Sequence, residues 1–130
     1  MAQSKNNNVL HPGVVIEIGG EQKKIVYDMW AATQFEALTG KSLFGNIEVS
    51  ASNVVNLLWA GLIREDEKLD GEIIIVGDLR TPSTSVKAAL KKIAQGLDFA
   101  RFAEVNEKIQ EAIRQSVGEG DEKNEQAQTT

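Results

Sequence analysis

A Thr-Gly-Lys-Ser sequence at residues 39–42 resembles the end of a phosphate-binding loop. Such a loop needs a glycine five residues before Gly40 and a strand leading into it, because its backbone N–H groups wrap the phosphates at a helix start. Phe35 occupies the position of the required glycine, and the residues around it have helical spacing. The sequence therefore predicts a helix that ends at Gly40, and no nucleotide site.

An acidic turn matches part of a calcium-binding loop, with Asp66, Asp70 and Gly71 in register. Lys68 stands at the second ligand position, and Gly77 stands where a bidentate glutamate is required. We therefore expect a solvated turn and no metal ion.

Other catalytic groups are sparse. His11 is the only histidine, the chain has no cysteine, and neighbouring carboxylates such as Glu65 and Asp66 lie in a hydrophilic stretch with no apolar pocket to raise a pKa. We expect no catalytic residue, no cofactor and no enzymatic activity.

Composition narrows the class of protein further. The chain has 130 residues and a net charge of −5, which fit one globular domain and argue against nucleic acid and anionic membranes as partners. The start of the sequence lacks the apolar core of a signal peptide, and a cytoplasmic location is expected. Residues 1–10 and 118–130 are polar, the latter acidic, and are predicted to be disordered tails around a domain at residues 11–117.

The elements between the tails are mostly helical. Alternating apolar residues from Val14 and a Gly-Gly turn predict a β-hairpin, and helical spacing follows over residues 29–39, 53–63, 86–97 and 99–113. Asp28 is the expected cap of the first helix, and Ser50 or Ser52 that of the second. Residues 72–79 fit strand or helix. The predicted fold is α+β, a compact multi-helix domain that is mostly α with a small N-terminal β-hairpin.

The second helix is unusually apolar. Large apolar side chains cover an arc of roughly 240° on it, far wider than the stripe of a surface helix. Either the helix is central and its own neighbours cover it, or part of the arc binds a protein partner or a second copy in a homo-oligomer. The second alternative places a partner-binding surface on Leu58, Trp59, Leu62 and Ile63.

Two stretches together resemble the tail assembly chaperones of long-tailed bacteriophages and prophages. They are "VYDMWAATQFEALTGKSLF" and "SASNVVNLLWAGLIREDEKL", followed by an Ile-rich acidic segment and C-terminal helices, and the likeness covers roughly residues 24–115. The resemblance implies a non-enzymatic factor that coats and solubilises the tape-measure protein, helps recruit tail-tube subunits, and is absent from the mature virion. The alternative is a structural tail or connector component retained in the virion.

The resemblance carries two further expectations. It favours a helix for residues 72–79. It also implies a longer form made by ribosomal frameshifting, and Glu122-Lys123-Asn124 can be encoded by codons that contain the slippery heptamer A AAA AAC.

Overall fold

In the computed structural model, which describes the backbone of residues 13–129 and the side chains of residues 13–116, the chain first reverses direction at Gly19 and Gly20. The strands β1 (Val14–Ile18) and β2 (Glu21–Ile25) pair antiparallel around this turn. Both glycines have positive φ, 60° and 81°, as the type I′ turn requires. The predicted N-terminal hairpin is confirmed.

The first helix, α1 (Met29–Thr39), begins and ends where its capping residues predict. The carboxylate of Asp28 accepts the backbone N–H of Ala31 at 2.9 Å, and the N–H of Gly40 bonds to the carbonyl of Glu36. An irregular segment then leads to Ser50, whose hydroxyl accepts the N–H of Asn53 and starts α2 (Ala51–Leu62).

A second hairpin occupies the segment that the sequence left open. A short 3-10 turn (Glu67–Leu69) precedes β3 (Ile73–Val76), which pairs antiparallel with β4 (Leu79–Pro82). The helix favoured by the resemblance for residues 72–79 is therefore wrong. Four consecutive β-branched residues favour a strand, and Gly77 (φ 61°), which would cost about 1 kcal/mol inside a helix, opens a two-residue turn of type II′.

The C-terminal part contains two helices, α3 (Thr84–Gln95) and α4 (Phe102–Thr129). Ser83 caps α3, and Gly96 and a 3-10 turn (Phe99–Arg101) separate the two helices. The helical backbone of α4 enters the segment predicted as an acidic tail, 118–130, but the side chains there lie outside the described residues. Residues 1–12, including the predicted tail 1–10 and His11, lie outside them as well.

The core forms around α2, which contacts α1, α3, α4 and β2. The β1–β2 hairpin closes one side, where the N–H of Gly19 bonds to the carbonyl of Gly96 at 2.9 Å and β1 packs on α4. The described part of the chain is thus mostly helical with two small hairpins, and the predicted α+β class is confirmed. None of the described helices is long and apolar enough to cross a membrane.

Candidate functional site

The four side chains predicted to bind a partner lie in the core. Leu58 and Trp59 have no exposed surface, and Leu62 and Ile63 are 2% exposed. The prediction of a partner-binding surface on these four side chains is therefore wrong, because no partner reaches them while the domain is folded. The physical reason is that helices from both sides of α2 in the sequence, together with β2, cover its wide apolar arc. The central-helix alternative describes α2.

Trp59 also positions the residues that lead to the second hairpin. Its indole Nε1–H donates a hydrogen bond to the carbonyl of Leu69 at 2.8 Å, at the end of the 3-10 turn. A second buried bond fixes the other side of α2, where the hydroxyl of Tyr27 donates to the carbonyl of Leu57. Burial raises the pKa of Tyr27 above its ordinary value, so the phenol stays neutral and remains the donor of this bond.

The Thr-Gly-Lys-Ser motif and the acidic turn each have a structural role in the fold. Gly40 ends a helix, so no helix start faces a bound phosphate there. The carboxylates of Asp66 and Asp70 accept the backbone N–H groups of Lys68 and Gly71 at 3.2 and 2.8 Å. Among the residues described, no three His, Cys, Asp or Glu side chains form a group that could hold a metal ion.

The second hairpin carries a concentrated exposed apolar surface. Ile75 is 47% exposed, Ile74 55%, and Val76 and Leu79 are each 66% exposed. These four side chains are called the hairpin surface below. Fully burying a side chain of this size is worth about 1.5–3 kcal/mol, so covering what remains exposed on the four would contribute roughly 3.5–7 kcal/mol. Exposure of this kind is typical of a contact site.

The register of the hairpin divides its residues between two faces. Cross-strand partners share a face, so the pairs Ile74–Thr81 and Val76–Leu79 lie on one side and the pairs formed by Ile73 and Ile75 on the other. The second side faces α1, and three members of the hairpin surface, Ile74, Val76 and Leu79, lie on the side that points away from the domain.

Arg80 fixes the hairpin to α1. Its Nη1 donates to the carbonyls of Glu36 and Ala37 at 2.9 and 2.7 Å, both in the last turn of the helix; the Glu36 carbonyl also accepts the N–H of Gly40. A cation at a helix C-terminus also interacts favourably with the helix dipole. The outward side of the hairpin is therefore held in a defined orientation.

Two smaller apolar features lie elsewhere. Phe99 is 90% exposed beside a cleft of about 220 Å³ between α2, α3 and α4. Met29, the first residue of α1, and Phe44 are both exposed and line one shallow pocket. Neither feature combines several exposed apolar side chains with an unpaired strand, and we take the hairpin surface as the candidate site.

Sequence reasoning missed this surface although two local signals mark it. "EIIIV" has strand propensity, and a Gly-Asp pair separates it from Leu79, which is the spacing of a two-residue hairpin. Comparisons of the chain with protein-family models, curated proteins and solved structures found no match.

Proposed function

We propose that this protein is a non-enzymatic tail assembly chaperone of a long-tailed bacteriophage or prophage. It binds the tape-measure protein, keeps it soluble, and helps recruit tail-tube subunits in the cytoplasm of the host. The observation that carries the proposal is the hairpin surface, an exposed apolar site on an acidic domain. The resemblance over roughly residues 24–115 supports the identity of the client.

An apolar surface on an acidic carrier suits a protein that holds an aggregation-prone client. The hairpin surface covers apolar segments of the client, because burying Ile74, Val76 and Leu79 is favourable for both partners. The net charge of −5 keeps loaded complexes apart by mutual repulsion. Neither the binding of the client nor the repulsion between loaded complexes needs a cofactor or a catalytic group.

Co-expression with the tape-measure protein of the same gene cluster tests the proposal. We expect the triple variant Ile74→Thr/Val76→Thr/Leu79→Thr to stay folded, because threonine retains strand propensity, and to leave the tape-measure protein insoluble. Val49→Thr is the matched control, since it removes an apolar side chain of 57% exposure outside the hairpin. A triple variant with unchanged circular dichroism that solubilises the client as well as the parent would contradict the proposed site.

Purified virions distinguish a chaperone from a structural tail or connector component. Mass spectrometry of purified virions is expected to find no stoichiometric amount of this chain, whereas a retained tail or connector component would be present in fixed copy number.

The gene sequence tests whether a longer, frameshifted form is made. Such a form requires a slippery run at the codons of Glu122-Lys123-Asn124 and an open downstream frame.

A further inference from the structure

We infer that the outer edge of β3 binds an extended segment of a partner, one with apolar side chains at alternate positions and Lys or Arg beside them. The inference rests on the proposed function only for the identity of that partner, which would be the client. Beyond the proposed function, the partner is recognised by backbone hydrogen bonds to β3 in addition to the burial of apolar side chains.

The hydrogen-bonding groups of β3 alternate between two edges. Val76 and Leu79 close the two-residue turn, and the N–H of Ser83 bonds to the carbonyl of Glu72 at 2.8 Å, so residues 72, 74 and 76 pair with β4. The N–H and C=O groups of Ile73 and Ile75 consequently point to the opposite edge. In the described part of the chain this sheet has two strands, and no strand pairs with that edge.

The two edges of the hairpin are unequal. On β4, Pro82 offers no N–H to an incoming strand, and the side chain of Arg80 is committed to α1. On β3, the residues Ile73–Val76 include no proline and no charge, which are the usual protections of an exposed edge. The sequence therefore protects β4 and leaves β3 available for pairing.

An open groove runs beside the start of β3. It separates α1 from the segment that enters the strand, and no residue of β4 lines it, which places it on the β3 side of the hairpin. Side chains of an added strand that point towards α1 would enter this groove. The lining residues are Trp30, Gln34, Ala37, Asp70, Gly71, Glu72 and Ile73.

The charges around this edge select the partner. Residues 70–79 contain Asp70, Glu72 and Asp78 and no Lys or Arg, and the first two of these carboxylates line the groove. A segment with basic side chains complements them. A second copy of this chain is disfavoured, because antiparallel pairing of two β3 strands would bring both sets of carboxylates into one interface.

Fluorescence anisotropy with short labelled peptides tests the inference on the full chain. The probe is Lys-Val-Thr-Ile-Thr-Val-Lys. The controls are the same peptide with Glu at both ends and the same peptide N-methylated at alternate backbone nitrogens, which blocks strand pairing. We expect the Lys-ended peptide to bind at least about tenfold more tightly than either control. Equal binding of all three peptides, or binding of none, would overturn the inference.

Two variants locate the site. Ile75→Pro removes an outward N–H without removing a bond to β4, and is expected to weaken peptide binding about tenfold. Glu72→Lys removes one of the three carboxylates of residues 70–79 and adds a positive charge, so it is expected to reduce the preference for the Lys-ended over the Glu-ended peptide. It keeps the test decisive should Ile75→Pro fail to fold. Val49→Thr is the control, since Val49 is an exposed apolar residue outside the second hairpin and its replacement leaves both the edge and its charges intact. Unchanged preference in Glu72→Lys would refute the assignment.

The outcomes separate this inference from the proposed function. Peptide binding at β3 without solubilisation of the tape-measure protein would retain the edge site and refute the chaperone role. Solubilisation that survives both Ile75→Pro and Glu72→Lys would retain the chaperone role and refute the edge site. A dimer in sedimentation equilibrium that Ile75→Pro abolishes would assign the edge to a second copy and overturn the inference.

Discussion

Replacing Trp59 with alanine is expected to destabilise the whole domain, because its side chain is fully buried in the centre of the core. Large-to-small changes at such positions cost about 3–5 kcal/mol through lost burial and the cavity left behind. The Leu69 carbonyl also loses its indole donor, which adds about 1 kcal/mol. The expected loss of roughly 4–6 kcal/mol is a large part of the roughly 5–15 kcal/mol that stabilises a typical domain.

The chain supplies its own control, because its other tryptophan, Trp30, is 50% exposed. In urea unfolding followed by circular dichroism, Trp59→Ala should lower the midpoint by about 2–3 M, given a slope of about 2 kcal/mol per molar, the middle of the range for small proteins. Trp30→Ala should lower it by much less, since about half of that side chain already contacts water. Trp59→Phe, which keeps most of the ring volume and loses the bond to Leu69, should fall between them. Equal shifts for the two alanine variants would refute the assignment of Trp59 to the core.

Three further predictions concern groups around α2. Tyr27, the only tyrosine, should stay protonated at pH values well above its ordinary pKa of 10.0 while the domain is folded. Because the unfolded chain ionises this group near that pKa, the free energy of unfolding should fall as pH rises above 10.0. A near-ultraviolet titration that shows phenolate in the folded state would contradict this. Gly61→Ala should cost about 1–3 kcal/mol despite its better helix propensity, because the new Cβ lies 2.8 Å from the Tyr27 ring, and an unchanged melting temperature would refute that contact. Asp28→Ala should cost about 1 kcal/mol in thermal unfolding, and Asp28→Asn less, since asparagine retains the cap and loses only the ion pair with Arg64; equal losses would contradict the capping role.

Elements whose signals are local could be predicted from the sequence. The limits of α1 follow from Asp28 and Gly40, because capping satisfies backbone groups within one helical turn. The first hairpin likewise follows from Gly19 and Gly20. In contrast, the strand at Ile73–Val76 has no alternating pattern, since a short apolar run fits a strand or a buried helix equally well. The resemblance then favoured the wrong alternative.

The location of the candidate site could not be predicted, because it depends on which apolar side chains the rest of the chain covers. Trp59 and Ile74 are both large and apolar, and each lies in a strongly apolar stretch. α1, α3 and α4 reach α2 from distant parts of the sequence and bury Trp59, whereas no element among the described residues covers the outward side of the second hairpin. The sequence shows which residues are apolar and how they are spaced, but only the tertiary arrangement decides whether water reaches them.

The bonds from Arg80 to the end of α1 bear on how quickly and tightly a partner could associate. An isolated two-stranded ribbon is marginally stable in water and would have to become ordered during each encounter. Because Arg80 anchors this ribbon in advance, an incoming segment pays the ordering entropy of its own chain alone. In the proposed function, each binding event therefore loses less of its free energy to ordering the hairpin.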